Sequence, residues 1–323
     1  MRVLVTGGAG YIGSVTVAAL LEGGHEVLVF DSLEHGHRGA VAPGARLVVG
    51  DLADGGAIEK ALRTHRAEAV VHFAAYSLVG ESVAQPARYF LNNVSNGLVL
   101  LEAMRRTGVG RIVFSSSAAV YGSPRRIPIA EDDPAEPINP YGESKLFLER
   151  VLGRYHRAYG LECVSLRYFN AAGATPACGE DHDPETHLIP SVLRAALGKA
   201  PAVKLFGTDY ETPDGTCVRD YVDVGDLADA HVLALNCRGE RTYNLGDGRG
   251  FSVREVLDAA RRVTGLPIPE EAAPRRPGDP AVLIAGAERI RRELGWTPRR
   301  TGLDEIIGGA WEWMRRNPEG YRD

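Results

Sequence analysis

Cysteine is scarce. The 323 residues include only Cys163, Cys178, Cys217 and Cys237, with no Cys-x-x-Cys pair. Four are too few to staple a chain of this length, so the expectation is reduced thiols in the cytoplasm. No run of about 18 apolar residues occurs, which excludes a transmembrane helix. The apolar run at residues 3–5 is shorter than the roughly 7–15 residues of a signal-peptide core. An excess of basic charge is also missing: 37 basic against 42 acidic residues give a net charge of −5. That excludes the electrostatic footprint of a nucleic-acid partner. Lysine is rare, at Lys60, Lys145, Lys199 and Lys204 only, and the other 33 basic residues are arginine. A lysine at a chemically meaningful spacing therefore carries weight.

What is present is ordinary for a folded protein. Hydrophobic residues make up 44% and charged residues 24% of the chain, enough for a sizeable core and not a disordered composition. At about 150 residues per domain the length allows two domains or one large one.

Short, nearly continuous apolar runs lie at residues 3–6, 26–30, 47–49, 69–73, 111–115 and 163–167. Such runs suit strands buried on both faces of a parallel sheet. Helix-length segments separate them, at 15–22, 57–65, 93–107 and 141–159. The alternation predicts an α/β fold, a doubly wound parallel sheet of Rossmann-like type. After Asn170 the rhythm breaks. Residues 171–186 are rich in Gly, Pro, Asp and Glu and read as a loop. Helices are expected at 190–197, 224–235, 253–264 and 301–316. The predicted organisation is residues 1–170 as a nucleotide-binding domain and 171–323 as a smaller mixed α/β domain. A segment near 220–245 is a candidate to return to the first.

Thr6-Gly7-Gly8-Ala9-Gly10-Tyr11-Ile12-Gly13 follows the first strand and opens a helix. Glycines at 7, 10 and 13 let the backbone approach a pyrophosphate, and the helix presents unpaired N–H groups to it. Asp31 ends the second strand, where a carboxylate suits a free ribose 2′-hydroxyl and repels a 2′-phosphate, so NAD is favoured over NADP. A glycine-rich turn alone is weak evidence, but strand, helix and acid agree here. From spacing alone Asp51 reads equally as an adenine contact or a solvated loop carboxylate.

The chain holds a single Tyr-x-x-x-Lys, Tyr141 to Lys145. Four residues apart on a helix puts both side chains on one face. Asn139 is a candidate N-cap and Pro140 the first helical residue. Tyr141 then sits in the first turn, where the helix dipole, Lys145 and a cofactor cation would all lower its pKa from about 10. Ser115-Ser116-Ser117 follows a strand, at the sheet end where ligands bind. A serine there can hydrogen-bond a reacting hydroxyl, although serines are also common turn residues. The run alone does not choose among the three.

These motifs, with residues 72–74, 79–82, 115–122, 167–170, 219–222, 243–246 and 276–279, resemble the extended short-chain dehydrogenase/reductases. Among these the chain is most similar to the sugar-nucleotide 4-epimerases, over essentially its whole length. The resemblance implies an isomerase with NAD as cofactor, interconverting UDP-glucose and UDP-galactose. C4 is oxidised, the 4-keto sugar rotates about its diphosphate, and the hydride returns to the other face. It implies Tyr141, Lys145 and Ser117 as the catalytic set. It implies cofactor contacts at Gly7, Gly10, Tyr11, Ile12, Gly13, Asp31, Asp51, Leu52, Phe73, Ala74, Asn92, Ser115, Tyr141, Lys145 and Tyr168. Substrate contacts are implied at Ser117, Tyr141, Asn170, His187, Leu188, Phe206, Arg219, Tyr221, Arg276, Asp279 and Leu283. Two arginines suit a diphosphate. Taken singly, each is more often a solvated charge, and Phe206 more often core. A homodimer, formed through the helices at 93–107 and 141–159, is also implied.

Three positions depart from some members. Ser77 replaces a lysine near the cofactor, His187 an asparagine at the substrate, and Leu283 a tyrosine that restricts the sugar. Leu283 predicts a wider pocket that also admits UDP-GlcNAc and UDP-GalNAc. Rival readings are an epimerase of a UDP-pentose and a non-catalytic NAD-binding sensor. Dehydration is disfavoured because Ala118-Ala119 stand where dehydratases carry Asp-Glu. No metal is expected: His35-x-His37 and Asp181-His182-Asp183 offer no complete ligand set at helix spacing, and no G-x-S-x-G elbow occurs.

Overall fold

A computed structural model describes residues 1–276 and 279–321. The strands are β1 (Arg2–Thr6), β2 (Glu26–Asp31), β3 (Arg46–Val49), β4 (Ala69–His72), β5 (Arg111–Ser117), β6 (Glu162–Tyr168), β7 (Asn170–Ala172), β8 (Val203–Phe206), β9 (Val218–Asp223), β10 (Glu240–Leu245), β11 (Gly250–Ser252), β12 (Glu270–Ala273) and β13 (Val282–Leu283). The helices are α1 (Tyr11–Glu22), α2 (Gly55–His65), α3 (Val79–Ala84), α4 (Pro86–Tyr89), α5 (Asn96–Thr107), α6 (Pro140–Tyr159), α7 (Leu188–Ala196), α8 (Val224–Ala234), α9 (Val253–Thr264), α10 (Glu288–Leu294) and α11 (Leu303–Arg316). Among the described residues, no helix is long and apolar enough to cross a membrane.

Seven strands form one all-parallel sheet in the order β10-β6-β5-β4-β1-β2-β3. It is the doubly wound sheet that the alternating apolar runs predict. Side chains alternate between its faces. Val3, Val5, Val27, Val29 and Val71 enter one core, shared with Leu20 of α1 and Leu227 of α8. Leu4, Leu28, Phe30 and Val70 enter the other, with Ile58 of α2, Leu100 of α5 and Leu148 of α6. Burial on both faces is why the strands read as continuous apolar runs. The strand order reverses between β1 and β4, and the crevice above their carboxyl ends is where ligands bind in such sheets.

Two small sheets follow. In one, β9 lies between β11 and β13 and also pairs with β7; the other pairs β8 with β12. The loop expected from residue 171 therefore starts later, because Asn170–Ala172 pairs in register with Tyr221–Asp223. The helix expected from residue 15 starts at Tyr11, since Gly13 belongs to its first turn. The helix expected from residue 93 begins as a wider π turn at Phe90–Ser95 before α5.

Candidate active site

The turn from β1 to α1 is closed by backbone contacts that leave no room for side chains. A Cβ on Gly13 would lie 2.1 Å from the Gly7 oxygen, and one on Gly7, at φ +71°, would lie 2.5 Å from the Ala74 nitrogen. Gly10 is the N-cap and offers α1 no side-chain cap, so the first N–H groups at Tyr11, Ile12 and Gly13 face the turn without one. That arrangement fits a pyrophosphate. Phe73 and Ala74 both donate backbone N–H bonds to the Thr6 oxygen, at 2.9 and 3.2 Å, and so flank the cradle. Tyr11 is spent elsewhere: its hydroxyl donates to the Gly173 oxygen at 2.7 Å.

Asp31 is buried at the end of β2 and accepts from the N–H groups of Ala9 and Leu33, both at 2.9 Å. Each carboxylate oxygen keeps a lone pair for ribose hydroxyls. These observations fit a dinucleotide with a free 2′-hydroxyl. Asp51 is exposed and closes its own turn by accepting from Ala53 N–H at 2.8 Å. Leu52 is buried in the core that Leu28 and Phe30 enter. Asn92 is half-buried and donates to Asn93 Oδ1 at 3.1 Å. Ser77, the departure near the cofactor, is exposed.

Asn139 caps α6 by accepting from Gly142 N–H at 2.9 Å, and Pro140 is its first residue. Tyr141 and Lys145 are thus fixed on one buried face. Lys145 Nζ donates to the Ser115 oxygen at 2.8 Å and sits 5.8 Å from the Tyr141 ring centre. Ser115 Oγ and the Tyr168 hydroxyl share a close hydrogen bond. Burial moves the Lys145 ammonium down to about 7, with Glu149 pulling the other way. Burial raises the Tyr141 phenol above its ordinary value, and the Ser117 hydroxyl opposes that rise. Dipole and lysine were expected to lower the phenol; in the protein alone, desolvation is the larger effect. His72, at the end of β4, is pushed down to about 3 by burial and by Lys145, and its Nδ1 meets Thr6 Oγ1 at 2.7 Å.

The small sheets gather the second group. Register pairs Asn170 with Tyr221, and Arg219 with Leu283. Asn170 Nδ2 donates to the Asp220 oxygen at 3.0 Å. Arg219 donates to Asp279 in a close, half-buried ion pair. The Arg276 guanidinium lies 4.1 Å over the Phe206 ring. Leu283 packs half-buried beside Val120, Tyr121 and Leu146. Pro277 and Gly278 of the 276–279 motif lie outside the described residues. His187 is the N-cap residue of α7 and Leu188 its first residue, the latter packed on the core of α7, α9 and α11.

Sequence reasoning missed a polar network beneath the catalytic helix. Arg167 of β6 pairs with Glu149 of α6 at 2.5 Å, and Ser116 donates to the same carboxylate at 2.5 Å. Arg167 also donates to the Tyr121 hydroxyl at 2.9 Å, which donates to Asn244 Oδ1 at 2.7 Å. The signal was available: Glu149 is four residues after Lys145, on the face already marked as buried. Asn93 was missed too. It donates to Ser144 Oγ at 3.0 Å and clasps the Tyr76 backbone at 2.9 and 3.0 Å, tying the π turn to α6. The third omission lies in the loop before α7. Glu180, His182, Glu185 and His187 bring four ligand-type atoms within 4.8 Å of one another. A helix-spacing criterion overlooks it because the four converge from a loop.

Comparison with known proteins gives one consistent result. Residues 3–246 match the model of the NAD dependent epimerase/dehydratase family. The chain is 52% identical over 327 residues to the UDP-glucose 4-epimerase of Halalkalibacterium halodurans, covering 99% of this chain and 98% of the relative. It is 53% identical over 331 residues to the UDP-glucose 4-epimerase of Streptococcus mutans, covering 100% and 99%. The crystal structure of UDP-glucose 4-epimerase from Bifidobacterium longum in complex with NAD+ and UDP superposes with a TM-score of 0.96. That protein is 40% identical, with 99% of this chain and 100% of that chain covered.

Proposed function

The chain belongs to the NAD dependent epimerase/dehydratase family, and from that premise we propose that it is an isomerase interconverting UDP-glucose and UDP-galactose. NAD is the cofactor, and when bound it supplies the acceptor and donor for the hydrogen at sugar C4. The observation that supports the reading is the placement of Tyr141 and Lys145 on one buried face of α6, with Lys145 Nζ on the Ser115 oxygen of β5, the strand that ends at Ser117.

In this reading Tyr141 takes the proton of the sugar 4-hydroxyl and returns it, while Ser117 hydrogen-bonds that hydroxyl. Lys145 binds the nicotinamide ribose and favours the tyrosinate by charge. Asp31 holds the adenosine ribose, and Tyr11, Ile12 and Gly13 hold the pyrophosphate through backbone N–H groups. Phe73, Ala74, Asn92, Ser115 and Tyr168 complete the cofactor set, with Leu52 and Asp51 at the adenine. Arg219 and Arg276 grip the diphosphate, which shares Arg219 with Asp279. Asn170, His187, Leu188, Phe206, Tyr221 and Asp279 hold the nucleoside and sugar. The charged grip falls on the diphosphate, about which a 4-keto sugar can turn. Residues 1–170 with α8 and β10 form the cofactor unit, and the small sheets form the sugar-nucleotide unit. Two copies pair through α5 and α6, a reading supported by the exposure of Phe147 and Tyr159 on α6. Cytoplasmic residence accords with four free, buried thiols.

The direct test is purified protein given UDP-galactose without added cofactor, with product nucleotides resolved by chromatography. UDP-glucose is the expected product, because each turnover leaves the cofactor as it began. No product even with NAD supplied would sink the reading.

Two finer outcomes follow from single residues. Asp31→Asn removes the charge from the ribose contact, and charge-assisted hydrogen bonds contribute about 1.5–3 kcal/mol. NAD retention, followed by equilibrium dialysis, should weaken roughly 10- to 100-fold. Leu283→Tyr fills space beside Val120 and Tyr121. The wild type should interconvert UDP-GlcNAc and UDP-GalNAc, and the variant should lose that activity preferentially over UDP-glucose. A wild type inert toward the N-acetyl pair would refute the wide pocket.

A further inference from the structure

We propose that Glu180, His182, Glu185 and His187 form a binding site for one Zn²⁺ ion that clamps the loop between the cofactor cradle and α7. The four side chains come from one eight-residue stretch, Glu-x-His-x-x-Glu-x-His, and their ligand atoms lie within 4.8 Å of one another. His182 Nδ1 is 3.0 Å and His187 Nδ1 2.7 Å from the same oxygen, Glu180 Oε1. His187 Nδ1 is also 3.1 Å from Glu185 Oε1. Around a tetrahedral zinc with bonds of about 2.0–2.1 Å, ligand atoms stand roughly 3.3 Å apart. Small side-chain movements therefore convert the observed cluster into a coordination shell.

Local bonding satisfies this group in part, since Glu185 Oε1 accepts from the His187 backbone N–H at 2.7 Å. The single Nδ1 of His187 faces two carboxylate oxygens and can give a proton to only one. Both glutamate side chains are nearly buried, 7% and 5% exposed. Among the described residues no arginine or lysine pairs with either; Glu180 pairs with His182 and His187, and Glu185 with His187. Glu180 also borders a cavity of about 10 Å³, with Gly173, Ile189, Leu193 and Trp313 among its other walls. That is at the lower limit for one water, and its walls are largely apolar. A divalent cation would neutralise two buried carboxylates at once. Two imidazoles with two carboxylates suit zinc; calcium and magnesium prefer oxygen alone.

The position gives the ion a role. The His182 ring packs edge-on, 6.3 Å from the ring of Tyr11, the first residue of α1. His187 is the N-cap of α7, and it faces the cluster through Nδ1, which leaves Nε2 for the substrate contact proposed above. One ion would thus tie the loop to the cofactor cradle on one side and to α7 on the other. The competing account is a metal-free network in which a His187 imidazolium pairs with both glutamates.

The test uses the full-length holoenzyme freed of any histidine tag and dialysed against chelator. Zn²⁺ is titrated calorimetrically, and the melting temperature is followed with and without Zn²⁺. The expected result is one equivalent per chain and a rise in melting temperature. His182→Ala and Glu185→Gln should each weaken binding more than about 100-fold, beyond the 10- to 100-fold typical of losing a ligand's supporting partner. A wild type that takes up no stoichiometric zinc and melts unchanged overturns the proposal. So does a pair of variants that bind as well as the wild type. Should either variant fold poorly, His182→Gln, which keeps a polar side chain there, carries the same test.

Discussion

Tyr141→Phe is expected to lower kcat by roughly 10²- to 10⁴-fold, the usual contribution of a positioned acid–base group, while NAD remains bound. The substitution removes one oxygen from a ring that is 9% exposed and otherwise keeps its packing. The helix start is untouched, because the Asn139 cap and the Ser144 hydrogen bond engage backbone atoms of residues 141 and 142. KM for UDP-galactose should change far less than kcat. A variant within a few-fold of wild type would pass the role of base to another group, Ser117 being the nearest.

The pH profile sharpens this expectation. In the protein alone burial raises the Tyr141 phenol, and Lys145 is brought down to about 7 by burial against the pull of Glu149. An acid held above its ordinary pKa is protonated at neutral pH, so the rising limb of kcat/KM reports loss of that proton. A positive charge beside the phenol moves the limb to lower pH, by about 1–3 units for a cation within 4–6 Å. Lys145→Met removes the amine whose Nζ is 5.8 Å from the ring centre, and it tests whether that amine keeps its proton at the pH where the phenol ionises, above the value of about 7 that burial gives it in the protein alone. The limb should then move to higher pH, and stopped assays from pH 6 upward would show it. An unmoved limb would leave Lys145 as a ribose contact alone.

The parts legible in the sequence are those where one local rule dominates. Strands buried on both faces appear as apolar runs, and the glycine cradle appears because any Cβ would collide with backbone. α6 announces its start through Asn139 and Pro140. The short strands β8, β11, β12 and β13 carry two to four residues each. They have no room for a periodic pattern, and their pairing is fixed by distant partners such as Leu283 with Arg219. Side-chain engagement was also hidden. Nothing local says that Tyr11 reaches the Gly173 oxygen, or that Asp279 occupies Arg219. The loop cluster ahead of α7 escaped because its ligands follow no helical period.

Arg167 supplies the largest expected change in stability. Its guanidinium and the Glu149 carboxylate are 8% and 7% exposed, 2.5 Å apart. Breaking a buried pair from one side costs about 3–5 kcal/mol, because the remaining charge stays buried without its partner. Arg167→Met fills similar volume and leaves Glu149 with the Ser116 hydrogen bond, while the Tyr121 hydroxyl loses a donor. The urea midpoint should fall by an amount matching that cost, with the slope unchanged if the unfolded state is unaltered. Adding Glu149→Leu removes the stranded charge and should recover much of the loss. Recovery stays incomplete, since Ser116 would keep an unpaired hydroxyl costing about 1–3 kcal/mol. A loss below about 1 kcal/mol in the single variant would mean that Glu149 sheds its charge at little cost. The same carboxylate pulls the Lys145 pKa upward. A neutral Glu149 would therefore leave Lys145 less readily charged, and the rising limb of the rate profile should move upward with it. Stability and catalysis are joined here through one helix face, on which Tyr141, Lys145 and Glu149 follow at four-residue steps.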